Sequence, residues 1–274
     1  MRARRLSWAA ATTAGLLGLL TFSLTPSASA EQSSPSRPKP TVVLVHGAFA
    51  DASGWNGVAK RLLDDGYKVV APANPLRGLP QDATYIASIL KNINGPIVLV
   101  GHSYGGAVIT QAAAGDRDVK ALVYIAAFMP DRGEVLGQLA ARSQESELQP
   151  ALRPAPFTNA DGSTGIELTI DPAQFHRVFA ADLPKSQTRV MAVEQRPISV
   201  SAFEDAPTAA AWRTIPSWAL VAKQDKAIGA DLERFEARRA GSHTVQVNGS
   251  HVVMISHPAV VTRLVESAAK ATVR

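Results

Sequence analysis

The chain has 274 residues, 46% of them hydrophobic and 19% charged, with 28 lysines and arginines against 23 aspartates and glutamates. That size and balance fit one large globular domain with an insertion and exclude a disordered or fibrous chain. No lysine or arginine cluster marks a nucleic-acid or membrane-surface footprint, and the absence of cysteine excludes disulfides, a thiol nucleophile and thiolate metal sites.

The N-terminus reads as an export signal. Arg2, Arg4 and Arg5 form a basic n-region, Ala9 to Leu24 an apolar h-region, and Ala28-Ser29-Ala30 a small-residue cleavage site. Residues 1–30 are therefore expected to be removed and the protein to be secreted or extracytoplasmic, by the general or the twin-arginine route suggested by Arg4-Arg5. The apolar run is short and interrupted by Thr, Ser and Gly, so no stable membrane insertion is expected after removal. Processing takes away three arginines and no acids, which lowers the net charge from +5 to +2. Residues 31–40, rich in Pro and Ser, have the composition of a flexible leader.

From Thr41 the pattern changes. Thr41-Val-Val-Leu-Val45 is a continuous apolar run, as expected of a strand covered on both faces, and it ends in His46-Gly47-Ala48-Phe49. Trp55, Val58, Ala59, Leu62 and Leu63 recur with helical spacing, and Gly66 is placed to cap that helix. Tyr67 to Ala71 reads as a strand, and after a loop at 72–80 Ile86, Ile89, Leu90 and Ile93 mark a second helix face. Pro96 to Val100 is a third strand, residues 104–114 a helix, and Val119 to Ile125 a fourth strand. This alternation predicts a doubly wound, mostly parallel α/β sheet.

The alternation stops at residues 128–206, which contain several prolines, helical stretches near 171–181 and 186–194, and the turn cluster Asn159 to Gly165 flanked by hairpin-like segments. This part reads as a small, mainly helical cap inserted between two core segments, 41–127 and 207–274. The sheet resumes at Ile215 to Val221, passes through a helix at about 229–240 and adds Thr244 to Val247; a last helix starts at His257-Pro258.

The chemistry gathers at Gly101-His102-Ser103-Tyr104-Gly105-Gly106, between a buried-type strand and a small-residue helix. In that setting G-x-S-x-G is a nucleophile elbow, a strained turn that lifts the serine hydroxyl above the sheet while glycine spares Cβ collisions. Ser103 is thus the candidate nucleophile. A serine hydroxyl needs an adjacent base, and that base a carboxylate to hold its tautomer. His251 follows a strand and the turn Asn248-Gly249-Ser250, which favours it over His257 at the start of the last helix; His46 and His102 read as loop-shaping, His176 as a cap residue and His243 as a loop residue. Asp225, just after the strand ending at Val221, is the favoured acid and completes the order Ser, Asp, His; Asp131, beyond the fourth strand, is the alternative.

With these residues assembled, the chain resembles the α/β-hydrolase superfamily over residues 41–274. Within it the chain resembles the small-cap branch of bacterial esterases, plant methyl esterases and hydroxynitrile lyases. The resemblance rests on His46 to Phe49, the Trp55 helix, the elbow, Gln224-Asp225-Lys226-Ala227-Ile228 and Ser250-His251-Val252-Val253-Met254. It implies an oxyanion hole made by the backbone N–H groups of Ala48 and Tyr104, and a substrate pocket bordered by Phe49. The activity it implies is hydrolysis of small or medium-sized lipophilic carboxylic esters through an acyl-enzyme. No cofactor is expected, and no metal, because H-E-x-x-H is absent and His251 and His257 stand six apart beside apolar residues. The lyases that the chain resembles carry lysine directly after the catalytic histidine; Val252 stands there, which disfavours that chemistry. A cofactor-free perhydrolase or haloperoxidase-type activity, and a ligand-binding protein on the same fold, remain the alternatives.

Overall fold

The computed structural model describes residues 38–272 together with Ala9. Most of the expected signal and leader, residues 1–30 and 31–40, therefore lies outside the described residues. The first half of the central sheet and its helices run β1 (Thr41–Val45), α1 (Asn56–Asp64), β2 (Val69–Val70), α2 (Leu79–Leu90), β3 (Ile97–Ser103), α3 (Tyr104–Ala112) and β4 (Val119–Ala127). The chain then leaves the sheet and forms α4 (Leu136–Ala140), α5 (Leu148–Ala151), β5 (Leu152–Thr158), β6 (Thr164–Ile170), α6 (Pro172–Phe179), α7 (Lys185–Met191), β7 (Ile198–Ser199) and α8 (Ser201–Glu204). It returns through β8 (Ser217–Ala222), α9 (Ala230–Arg239), β9 (His243–Val247), α10 (Val253–Ser256) and α11 (Pro258–Thr272).

The main sheet has the order β2-β1-β3-β4-β8-β9 with every pairing parallel. Its inner strands are the continuous apolar runs: β1 and β3 are buried at every position because helices cover both faces. α2 packs beside α3, and α1 beside α11. Parallel strands all end at the same edge, so the loops after β1, β3, β8 and β9 emerge together, and those loops carry the residues singled out above. The edge strand β9 is mostly exposed.

Several boundaries differ from the sequence expectation: β4 runs two residues further, to Ala127, and β8 spans Ser217–Ala222 in place of Ile215–Val221. The strand expected at Tyr67–Ala71 shrinks to Val69–Val70, which pair with Val42 and Val43. Gly66 at φ 75° ends α1, and the Tyr67 N–H donates to Leu62 O at 2.9 Å, so Tyr67 belongs to the helix cap. β3 runs on to Ser103 itself, so the elbow is the last residue of a strand and not a separate turn.

Among residues 128–206, the hairpin expected around Asn159–Gly165 is present as β5 and β6, in register from Leu152↔Ile170 to Thr158↔Thr164. β5 tolerates Pro154 and Pro156 because it pairs on one side only, in the order β5-β6-β7. The expected helices at 171–181 and 186–194 are α6 and α7. The Asp171 side chain accepts the Ala173 N–H at the start of α6, with Pro172 in its first turn. The two-residue strand β7 has no periodic signature.

Candidate active site

Ser103 joins β3 to α3 with φ 54° and ψ −127°, a conformation that costs a non-glycine residue about 1–3 kcal/mol. The tight packing of the neighbouring loop holds it there. A Cβ on Gly47 would lie 2.6 Å from Ser103 Cβ, and one on Gly105 2.6 Å from Val45 O, so both positions require glycine. The loop after β1 is further shaped by His46, whose Nδ1 donates to Gly47 O at 2.8 Å while Nε2 accepts the Asn74 N–H at 2.8 Å. Burial lowers the pKa of His46 and keeps that ring neutral, the loop-shaping part expected of it.

His251 and Asp225 are brought together. The His251 Nδ1–H donates to Asp225 Oδ2 at 2.6 Å, and both side chains are buried. Asp225 Oδ1 accepts from the backbone N–H groups of Ala227 at 2.6 Å and Ile228 at 3.0 Å, in the loop between β8 and α9. Burial opposes its ionisation, yet the charge and hydrogen bond of His251 together with those N–H donors hold its pKa down to about 2. Nδ1 of His251 being committed, its Nε2 is the nitrogen left for proton transfer; among the described residues neither Nε2 nor Ser103 Oγ takes part in any hydrogen bond, so the two are not bonded to each other in this structure. Ser103 remains 7% exposed.

The alternatives lie elsewhere. Asp131 forms a two-bond ion pair with Arg213, its Oδ1 accepting from Arg213 Nε at 2.8 Å, and that bond holds its carboxyl below the usual range. His257 accepts or donates at Nδ1 with Ser256 Oγ at 2.8 Å, at the junction of α10 and α11. His176 Nδ1 meets Thr188 Oγ1 at 3.2 Å between α6 and α7, and His243 lies against Trp218 at 5.0 Å.

Tyr104 opens α3, where the helix itself supplies no acceptor for its N–H, and the Ala48 N–H, buried in the loop after β1, donates to no described acceptor. Neither N–H is committed to an acceptor among the described residues. Tyr104 is anchored from its far end, its hydroxyl donating to Asp82 Oδ2 at 2.8 Å in α2. Phe49, at φ 62° and 4% exposed, meets the ring of Phe179 edge-on at 6.1 Å; Phe179 in turn lies 5.0 Å from both Phe175 and His251. Sequence reasoning missed Phe175 and Phe179. Their i, i+4 spacing in the stretch Phe175-His176-Arg177-Val178-Phe179 was the available signal, since it puts both rings on one helix face.

The fold agrees with the comparisons. A model of the alpha/beta hydrolase family matches residues 42–264. The chain belongs to that family. It is 28% identical over 254 residues to the alpha/beta hydrolase nvfD of Aspergillus novofumigatus, covering 84% of this chain and 97% of that protein. It is 34% identical over 123 residues to a carbendazim hydrolyzing esterase of a Nocardioides species, covering 39% of this chain and 49% of the esterase, so the likeness spans about half of that protein. The crystal structure of polyneuridine aldehyde esterase, 18% identical, superposes with a TM-score of 0.72 over 84% of this chain and 99% of that one, a likeness of fold.

A cavity of about 520 Å³ opens beside this hydrolase's site, lined by Phe49 and Val252, by Val190, Met191, Met254 and Ile255, and by polar groups that include Asp51, Gln187 and Glu194. Phe49 and Val252 are the neighbours of Ala48 and His251. Among the described residues no group of three or more His, Asp or Glu is arranged to hold a metal ion, and no helix is long and apolar enough to cross a membrane.

Proposed function

We propose that this family member is a serine esterase acting on small or medium-sized lipophilic carboxylic esters. The observation that carries the reading is the His251–Asp225 bond of 2.6 Å at the sheet edge where a strained serine ends β3. Ser103 Oγ attacks the ester carbonyl as His251 Nε2 accepts its proton; the Ala48 and Tyr104 N–H groups bind the oxyanion; the histidine returns the proton to the leaving alcohol. Water then attacks the acyl-enzyme by the same route. Asp225 stays ionised and stabilises the imidazolium. The substrate class is supported by the apolar part of the adjacent cavity's lining, Phe49, Val190, Met191, Val252, Met254 and Ile255.

We read residues 128–206 as a cap over this site, a reading supported by the ring of Phe179 on His251. The test of activity is a panel of p-nitrophenyl esters of increasing acyl length, with peroxide and lactone controls. Ester turnover that saturates and vanishes in Ser103→Ala supports the esterase; saturable binding without turnover supports a ligand-binding protein. Export rests on the sequence of residues 1–30, and mass spectrometry of secreted protein should find an N-terminus at or near Glu31; full-length chain retained in the membrane would refute it.

A further inference from the structure

α9 turns two carboxyl side chains into the interior, Glu233 and Glu236, which share a face three residues apart. Glu233 is the one that reaches the proposed triad. It is 3% exposed, its Oε2 accepts the Ala222 N–H at 2.9 Å at the end of β8, and its carboxyl neighbours that of Asp225 in the loop that follows. Its Oε1 finds no N–H or hydroxyl donor among the described residues.

An ionised carboxylate only accepts hydrogen bonds, so a bond between two carboxyl groups requires that one of them be protonated. The surroundings decide which. Asp225 accepts from three N–H donors, those of Ala227, Ile228 and His251, and faces an imidazole that becomes a cation during the reaction. Glu233 accepts from one N–H and faces no cation; the titratable groups around it are Asp225, across the loop after β8, and Glu236 on its own helix, both of which disfavour its charge. We propose that Glu233, as a neutral carboxylic acid, donates its proton in a hydrogen bond to Asp225 and so orients the Asp225 carboxylate for His251. It is a positioning residue, acting through Asp225 and touching no substrate. Burial, followed by the charge of Asp225, pushes the Glu233 carboxyl well above its ordinary range, which agrees with a retained proton at neutral pH.

The inference rests on the triad reading, and the test separates the two. Glu233→Gln keeps both bonds, its amide oxygen accepting from Ala222 and its amide N–H donating to Asp225. Glu233→Leu keeps the bulk and loses the donor. With the donor gone, Asp225 holds the imidazolium more tightly, so the acid limb of kcat/KM against pH should move up by roughly 0.5–1 unit in Glu233→Leu and stay at the wild-type position in Glu233→Gln. Infrared spectra at neutral pH should show, beside the band of protonated Glu236, a second protonated-carboxyl band in the wild type that is missing in Glu233→Gln, a readout independent of activity. Circular dichroism confirms that each variant is folded.

A downward shift of the acid limb in Glu233→Gln would mean that a negative charge had been removed, and would overturn the proposal; so would an unchanged infrared spectrum. A folded Glu233→Leu whose profile superposes on the wild type, while Asp225→Asn is crippled, overturns the Glu233 role alone. Near-normal turnover in Asp225→Asn overturns the triad and this inference with it.

Discussion

The backbone carbonyl of His251 accepts a hydrogen bond from Nε2 of His102 at 3.0 Å, and the two imidazoles stand 4.7 Å apart. A carbonyl only accepts, so His102 carries its proton on Nε2, and burial, reinforced by His251, holds its pKa well below the ordinary histidine value. The residue before the proposed nucleophile thereby fixes the loop that carries the proposed base. His102→Ala should leave KM nearly unchanged and lower kcat by on the order of 10²-fold, the cost of displacing a reacting group by about an ångström. Steady-state kinetics on a short-chain ester check it; unchanged kcat would show that the loop is held by other means.

The two histidines and two aspartates that the sequence left in competition separate in one set of four mutants. His251→Ala and Asp225→Asn should each lose roughly 10⁴-fold or more in kcat, since they act with Ser103 as one unit. His257→Ala and Asp131→Asn should retain most activity, the first disturbing the start of α11 and the second an exposed pair with Arg213. A crippling loss in Asp131→Asn would place the acid after β4 and contradict the assignment.

Much of this was legible beforehand because the signals are local. The elbow, the apolar runs of β1, β3 and β4, and the helix spacing from Trp55 depend on residues near in sequence, and the structure has them where the pattern put them. Asp225 was legible as the residue after a strand, although its bond to His251 joins positions 26 apart. What escaped was held by tertiary packing: the short β7, whose pairing to β6 is one-sided, and Glu233, whose place in an acidic helix turn looks like any solvated charge until α9 docks on β8. Phe179 reached His251 only through the fold of the segment between the core halves.

That segment is also tied to the proposed base by a hydrogen-bonded latch. Asp182, between α6 and α7, accepts from the Ser250 N–H at 3.0 Å and from the Ser250 hydroxyl, and these bonds outweigh desolvation and hold its carboxyl below the usual range. Asp182→Ala should lower kcat by on the order of tenfold while changing stability by less than about 1 kcal/mol, because the side chain lies near the surface. Kinetics and thermal unfolding measured on the same preparation check the split. A large fall in Tm with unchanged kcat per folded molecule would make the latch structural only.

Glu236 makes stability depend on pH. Its Oε1 accepts the Met129 N–H at 2.7 Å, and burial pushes its pKa from 4.5 up to about 8. The folded state therefore keeps a proton that the unfolded state releases, so this contribution is full below pH 4.5 and is lost as pH rises through about 8. Across that window the difference between wild type and Glu236→Gln should change by roughly 3–5 kcal/mol, the wild type weakening with rising pH. Urea unfolding from pH 5 to about pH 9 measures it; parallel curves for the two proteins would mean that Glu236 is ionised when folded.

The covalent intermediate is the most direct test of the account. Protein mixed with a p-nitrophenyl ester, quenched in acid within the first turnover and digested should carry the acyl mass on the peptide containing Ser103, with one equivalent of p-nitrophenol released in the burst. The adduct should be absent from Ser103→Ala. Ester turnover without an adduct on Ser103, or at an undiminished rate in a folded Ser103→Ala, would contradict the account.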